Sequence, residues 1–119
     1  MKGERILHAD DSSVARDGLQ VIIDSWGSND GHKIIGSASS AEEVLGLLNK
    51  GLRPSVAIID NKMPNIGDGE RVAKIIREIS SQTIIVSMSS DDGVIWGDYN
   101  LRKQFRAEDF VKFLTELQH

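Results

Sequence analysis

The stretch SVAIIDNKMP, residues 55–64, sets a short, fully apolar run directly before an acidic residue, Asp60. Uninterrupted apolar runs of this length are typical of strands that are buried on both faces of a parallel sheet. The run stops abruptly at Asp60, as such a strand does where it emerges at the edge of the sheet. We therefore interpret residues 55–59 as a buried parallel strand with Asp60 at its carboxyl end.

Similar runs on either side of this stretch complete a repeating pattern. Three more strands are predicted over residues 5–9, 33–36 and 83–88, and a fifth begins near Tyr99. Segments with apolar residues at helical spacing separate or follow the strands, over residues 12–26, 40–51, 70–79 and 107–117. Short apolar strands that alternate with amphipathic helices predict a doubly wound α/β fold, in which helices cover both faces of a parallel sheet.

Length and composition limit the class of protein. With 119 residues, of which 39% are apolar, the chain is predicted to form one domain over residues 1–119. The absence of cysteine excludes thiol chemistry and Cys-ligated zinc. A net charge of -4 argues against nucleic-acid binding. No segment has the length of a membrane span and the first residues lack the apolar core of a signal peptide, so we expect no membrane contact and a cytoplasmic location.

Polar side chains follow three of the predicted strands. Asp10 and Asp11 come after the first, Asp60 after the third and Ser89 after the fourth. The carboxyl ends of parallel strands meet at one edge of the sheet, where doubly wound folds bind their ligands. Three carboxylates gathered there repel one another, and oxygen ligands favour Mg²⁺ as the neutralising ion. The alternative is that these acids are solvated loop residues or helix caps.

Four segments in this order resemble the receiver domain of two-component response regulators. ILHADDSS, residues 6–13, is similar to the first strand and acidic pair of that family. AIIDNKMP, residues 57–64, resembles its third strand with the phosphoacceptor aspartate. IIVSMSS, residues 84–90, resembles the fourth strand with its hydroxyl residue, and KQF, residues 103–105, the Lys-Pro-Phe before the last helix. The resemblance implies a flavodoxin-like, five-stranded parallel sheet of order 2-1-3-4-5.

The resemblance also implies roles for the acidic residues. Asp60 would accept a phosphoryl group from a phosphohistidine on a histidine kinase or phosphotransfer protein. Asp11, Asp60 and the backbone carbonyl of Lys62 would hold Mg²⁺, and Asp10 would reach the ion through water. The protein would then be a signalling receiver, and its only reactions would be its own phosphorylation and dephosphorylation.

A hydroxyl and a lysine complete the set that the resemblance implies. Ser89 and Lys103 occupy the matching positions, with the alternatives that Ser89 caps the following segment and that Lys103 is a surface lysine. Arg102 is adjacent and also cationic. The interval from Phe105 to Phe110 favours Lys103, because it suits the Lys-x-Phe that leads into the last helix of the family.

The chain departs from the family between the fourth and fifth strands. The interval from Ser89 to Lys103 is only 14 residues, which leaves too little chain for a full crossover helix. We therefore expect the fourth helix of this fold to be missing or vestigial. We predict that Val94, Ile95 and Trp96 fold down as an apolar plug in its place. In the loop after Asp60, Gly67 is the predicted insertion, because it can adopt positive φ without strain.

Two kinds of output are consistent with this pattern. In the first, no output domain follows the last helix, and phosphorylation acts through a downstream protein or a homodimer formed through the fourth and fifth strands. In the second, the protein is a receiver-like interaction module that is never phosphorylated. A magnesium-dependent phosphatase is a third hypothesis, but such enzymes need a second acid two residues after the nucleophile, where this chain has Lys62.

Three further residues carry minor expectations. We predict that Trp26 belongs to the core and that His8 is a buried residue with its polar atoms satisfied. Lys62 and Asp91 resemble variable positions that flank the path of the hydrolytic water in this family.

Overall fold

The computed structural model describes residues 3–90 and 93–119, and its strands form one five-stranded parallel sheet in the order β2-β1-β3-β4-β5. The strands are β1 (Arg5–Ala9), β2 (Lys33–Ala38), β3 (Val56–Asp60), β4 (Ile84–Ser89) and β5 (Tyr99–Arg102). The helices of the described residues are α1 (Ser13–Ile22), α2 (Ala41–Asn49), α3 (Asp68–Ile79) and α4 (Ala107–Thr115). The predicted fold class and strand order are confirmed.

Helices cover both faces of the sheet, as the fully apolar strands require. Adjacent residues of a strand point to opposite faces. On one face, α2 and α3 pack on a cluster that includes Leu7, Ala9, Ala57, Ile59 and Ile85. On the other face, α1 and α4 pack on a cluster that includes Ile6, Ile58, Val86, Phe110 and Leu114. Within the described residues, no helix has the length and apolar character needed to cross a membrane.

Serine side chains cap the starts of α1 and α2. The Ser12 Oγ accepts a hydrogen bond from the Ala15 backbone N–H at 3.2 Å, and the Ser40 Oγ accepts one from Glu43 at 3.2 Å. The Glu43 carboxylate reaches back to the backbone N–H of Ser39. Gly67 precedes α3 with φ 96°, the left-handed conformation predicted for it.

The crossover from β4 to β5 contains no helix in its described residues, 90 and 93–98. Its last residues are held by polar contacts to the strands. The Asp98 carboxylate accepts a hydrogen bond from the Ile85 backbone N–H at 2.8 Å, on the side of β4 that would otherwise lack a partner. The Asn100 Oδ1 accepts hydrogen bonds from the Ser87 hydroxyl at 2.8 Å and the Gly97 N–H at 2.9 Å. The predicted loss of the fourth helix is confirmed.

The predicted apolar plug is only partly correct. Trp96 packs against the cluster beneath α2 and α3, and Val94 is half-buried. Ile95, in contrast, is 84% exposed. Three side chains cannot all point inward from a short turn, and the indole has the largest apolar area to bury.

Two other predictions about single residues fail. Trp26 is 52% exposed, because α1 gives way to a π-helical turn, Ile23–Gly27, which rotates the indole away from the core. His8 is buried in β1 as predicted, but its Nδ1 has no hydrogen-bond partner among the described residues. Burial lowers the pKa of His8 to about 4, so the imidazole is neutral at pH 7.

Two glycines test how closely the crossover lies on the sheet. A Cβ at Gly97 would lie 2.6 Å from the Tyr99 carbonyl oxygen and 2.9 Å from the Ser87 nitrogen, both backbone atoms. We expect Gly97→Ala to lower the free energy of unfolding by about 1–3 kcal/mol, the usual cost of overpacking. A Cβ at Gly46, in α2, meets nothing within 4 Å. Gly46→Ala should therefore raise the free energy by about 1 kcal/mol through helix propensity. Urea unfolding of both variants measures the contrast, and equal effects would contradict it.

Candidate functional site

Three carboxylates converge where β1 and β3 end. Asp10 and Asp11 follow β1 directly, and Asp60 is the last residue of β3. Their nearest oxygens all lie within 4.8 Å of one another. Asp10 and Asp60 are buried, whereas Asp11 is exposed. The structure therefore brings the three predicted acids together.

Lys103 reaches into this group from the end of β5. Its Nζ lies 3.1 Å from the Asp60 Oδ1 and 3.8 Å from the Asp10 Oδ2. The backbone N–H of Lys103 donates to the Ser89 carbonyl at 3.0 Å, which places the lysine next to the end of β4. Arg102 is the last residue of β5 and pairs in register with Ser89. Of the two candidate cations, Lys103 is the one that contacts Asp60.

The charges in this group shift two pKa values. Burial raises the pKa of Asp60, and the nearby charge of Asp10 raises it further, while the hydrogen bond from Lys103 opposes the shift. Burial alone would lower the pKa of Lys103, but its hydrogen bond to Asp60 and the charges of Asp60, Asp10 and Asp11 raise it above the usual value. Lys103 is therefore fully charged at pH 7.

The acids open into a shallow cleft of about 280 Å³. It is lined by Asp11, Asp60, Asn61, Lys62, Ser89, Ser90 and Lys103. The Lys62 backbone N–H donates to the Asp60 carboxylate. Ser89 is only 3% exposed. Asp91 lies outside the described residues, so its expected place beside Lys62 stays a prediction.

The donor set of this cleft fits a small divalent cation. Carboxylates and backbone carbonyls are hard oxygen ligands, which Mg²⁺ prefers over nitrogen or sulfur. The acids that would hold the ion are Asp10, Asp11 and Asp60. Lys103 neutralises only part of their charge, which leaves a net negative site open to the cleft. The arrangement can bind a cation and, beside it, an anionic group that accepts hydrogen bonds from Lys103 and from backbone N–H groups.

A larger cleft, of about 520 Å³, lies at the opposite end of the sheet. It is lined by residues that precede the strands, and there Glu4 accepts hydrogen bonds from the Ser55 hydroxyl at 2.8 Å and contacts the His119 Nε2 at 2.8 Å. Its one carboxylate is thus already engaged, and none of the three acids reaches it. The acidic cleft is the better candidate for chemistry.

Two contacts at the acidic end were not predicted. The Arg16 guanidinium, one turn into α1, donates to the Asp10 carbonyl at 2.6 Å. The Asn61 Oδ1, next to Asp60, accepts a hydrogen bond from the Trp96 indole N–H at 3.1 Å. Neither residue type is diagnostic at its position. The Arg16 contact joins residues six apart in sequence, whereas the Asn61 contact joins segments that only the fold brings together.

Comparison with families of known proteins gives a match over nearly the whole chain. The family model described as the response regulator receiver domain matches residues 6–114. Among curated proteins, the response regulator GacA of Pseudomonas protegens is 37% identical over 73 residues, which is 61% of this chain and 32% of that protein. The positive alginate biosynthesis regulatory protein of Pseudomonas aeruginosa is 31% identical over 118 residues, 93% of this chain and 46% of that protein. The chain thus spans less than half the length of these relatives.

Solved structures show the same fold at low sequence identity. A CheY-like response regulator receiver domain protein from Methanospirillum hungatei superposes with a TM-score of 0.79 at 17% identity, over 97% of this chain and 93% of that one. The CheX-CheY-BeF3-Mg²⁺ complex from Borrelia burgdorferi contains a chain that superposes with a TM-score of 0.74 at 22% identity, over 91% and 84% of the two chains.

The raised pKa of Asp60 predicts a pH-dependent cost to stability. A carboxyl whose pKa is higher in the folded state favours folding below its unfolded pKa, and this contribution is lost as the pH rises through the folded pKa. Asp60→Asn should therefore be more stable than wild type at pH 7, with a smaller difference at pH 4. Urea unfolding at both pH values tests this.

Mg²⁺ provides the complementary measurement. An ion that binds only the folded state raises the free energy of unfolding by RT ln(1 + [L]/Kd). We expect Mg²⁺ to raise the melting temperature of wild type and to have a much smaller effect on Asp60→Asn. An equal rise in both proteins would exclude Asp60 as a ligand.

Proposed function

The chain belongs to the response regulator receiver domain family, and from this premise we propose that it is a phosphoacceptor in a two-component phosphorelay. The observation that carries the proposal is the contact of the Lys103 Nζ with the Asp60 Oδ1 at 3.1 Å, inside a cluster of three carboxylates. Asp60 is thus a buried acid that accepts hydrogen bonds from Lys103 and from the Lys62 backbone N–H. The same two donors can neutralise and bind a phosphoryl group attached to Asp60.

The proposed reaction is phosphoryl transfer from a phosphohistidine. An Asp60 oxygen attacks the phosphorus and forms a new P–O bond, while the P–N bond to the donor histidine breaks. The electron pair of that bond stays on the histidine nitrogen, which takes up a proton from solvent. The product is an acyl phosphate on Asp60. Attack of water on the phosphorus then breaks the new P–O bond, which returns the carboxylate and releases inorganic phosphate.

The residues around Asp60 favour this reaction by position and charge. Phosphoryl transfer requires neutralisation of the phosphoryl oxygens more than covalent assistance. We propose that the Lys103 ammonium group moves its contact from the Asp60 carboxylate to the phosphoryl group. The Ser89 hydroxyl and the Lys62 N–H would donate hydrogen bonds to the phosphoryl oxygens. Ser89 and Lys103 arrive together because a backbone hydrogen bond of 3.0 Å joins them.

Asp10, Asp11, Asp60 and the Lys62 carbonyl are proposed to hold Mg²⁺. The ion would supply the positive charge that makes approach of the anionic donor to three carboxylates favourable. The structural neighbour from Borrelia burgdorferi was solved with BeF3 and Mg²⁺, which supports the same donor chemistry here.

The partners that follow from this function are proteins. A histidine kinase or phosphotransfer protein would supply the phosphoryl group, and a downstream protein or a second copy of the chain would read the result. A cytoplasmic location and the absence of nucleic-acid contact stay predictions. The alternative, a module that never receives a phosphoryl group, has in its favour that residues 90 and 93–98 of the crossover between β4 and β5 form no helix.

The first test is phosphoryl uptake. Incubation with acetyl phosphate and Mg²⁺ should add one acid-labile phosphoryl group to the wild-type chain, measured by intact mass. Asp60→Asn should stay folded and take up none, because an amide oxygen is not a competent nucleophile here. Undiminished uptake by this variant would exclude Asp60, and no uptake by wild type would favour the alternative module.

A second test separates the two neighbouring cations. Lys103→Met removes the charge 3.1 Å from Asp60, so we expect uptake at least tenfold slower, as for loss of one preorganised charged donor. Arg102→Met is the matched control, with the same charge change one residue away, and should react within about twofold of wild type. A larger loss in the Arg102 variant would reverse the assignment.

A further inference from the structure

The indole of Trp96 attaches the crossover between β4 and β5 to the neighbourhood of Asp60. The Trp96 Nε1–H donates to the Asn61 Oδ1 at 3.1 Å, and Asn61 is covalently bonded to Asp60. The ring of Trp96 lies against the start of α3, where a Cβ at Gly69 would come within 2.9 Å of a ring carbon. The Trp96 carbonyl accepts a hydrogen bond from Arg77 of α3 at 2.7 Å. The residue thus joins the crossover to both β3 and α3.

The chemistry of this contact fixes its polarity. An indole N–H is a donor only, so its partner must be the oxygen of the Asn61 amide and not the nitrogen. Asn61 is 8% exposed, and loss of the indole would leave that buried oxygen without this partner. Backbone bonds hold the same residue, since its N–H donates to Met88 at 3.3 Å and its carbonyl accepts from Gly69 at 3.1 Å.

The position of Asn61 determines where the backbone of Asp60 and Lys62 lies, and both residues take part in the proposed reaction. Its neighbours in the chain are Asp60 and Lys62, whose backbone N–H already donates to the Asp60 carboxylate. The backbone bonds to Met88 and from Gly69 hold the main chain of Asn61, and the contact with Trp96 restrains its side chain. Displacement of Asn61 would therefore misplace the donor and the nucleophile together.

We propose that Trp96 is a positioning residue for phosphoryl transfer to Asp60. It acts through the side chain of Asn61 and supports the cleft from a crossover whose described residues form no helix. This inference rests on the proposed function and deepens it. Asn61 follows Asp60 in the chain and accepts the indole hydrogen bond, so we expect a phosphoryl group on Asp60 to alter the environment of the indole as well.

The kinetic test uses Trp96→Phe, which keeps an aromatic ring against Gly69 and removes the N–H donor. We expect uptake from acetyl phosphate to slow about fivefold, the factor that one neutral hydrogen bond is worth. Arg77→Met is the matched control, because it removes the hydrogen bond to the Trp96 carbonyl without touching Asn61, and its rate should stay within about twofold of wild type. Assays run well below the melting temperature of every variant.

A double-mutant cycle distinguishes positioning from a general loosening of the fold. Asn61→Leu removes the acceptor of the same hydrogen bond. If Trp96 acts through Asn61, the double variant Trp96→Phe/Asn61→Leu should be no slower than the slower single variant. Independent structural damage would instead multiply the two losses.

A spectroscopic measurement reads the coupling without kinetics. The chain has two tryptophans, and Trp26 is 52% exposed at the end of α1. In Trp26→Phe, the remaining indole N–H resonance belongs to Trp96 and should shift when Asp60 is phosphorylated. In Trp96→Phe, the Trp26 resonance should not shift.

The outcomes separate this inference from the function on which it rests. A wild-type chain that takes up no phosphoryl group overturns both. Uptake by wild type with an equal rate in Trp96→Phe, an equal loss in Arg77→Met, multiplied losses in the cycle, or an unshifted Trp96 resonance overturns the role of Trp96 alone.

Discussion

The mutual repulsion of three carboxylates is the constraint on which the rest of this structure depends, because the other elements must hold these groups together. Parallel strands bring Asp10, Asp11 and Asp60 within 4.8 Å of one another, and two of the three are buried. The rigidity of the sheet is what keeps them there, because β1 and β3 are central strands with apolar side chains on both faces. Lys103 offsets part of the charge, and the excess that remains is the basis for the proposed cation binding.

The placement of Lys103 depends on the shortest strand of the sheet. β5 has four residues and lies at the edge of the sheet, where it pairs with β4. The ring of Tyr99 packs edge-to-face on Phe113 of α4 with centroids 5.4 Å apart, which fixes the start of the strand. The backbone bond from Lys103 to Ser89 fixes its end. A lysine on such a support can exchange one anionic partner for another with little movement of the sheet.

The crossover between β4 and β5 shows how a doubly wound sheet tolerates the loss of a helix. A helix would require an apolar surface beneath it, but here Ser87 is fully buried and bonds to Asn100. Asp98 and Asn100 supply the hydrogen bonds that a buried face needs, and Gly97 lets the backbone lie close to β4. The indole of Trp96 is the apolar part of this cover. The buried Ser87 of β4 and the polar residues of the crossover thus fit each other, and the crossover is attached next to Asp60 through Trp96.

The sequence by itself determined the sheet and the site, because both follow from short-range patterns. Apolar runs that end in Asp10, Asp11 and Asp60 define parallel strands, and parallel strands place their carboxyl ends at one edge. The short interval after Ser89 left too little chain for a full crossover helix, and the Phe105–Phe110 interval favoured Lys103 over Arg102.

The tertiary structure decided what depends on contacts between distant segments. It brought the Lys103 Nζ to 3.1 Å from the Asp60 Oδ1. It turned Trp26 outward through a π-helical turn, and it joined Trp96 to Asn61, 35 residues away in sequence. Local periodicity carries no information on such pairs, because their side chains meet only after the sheet and helices have assembled.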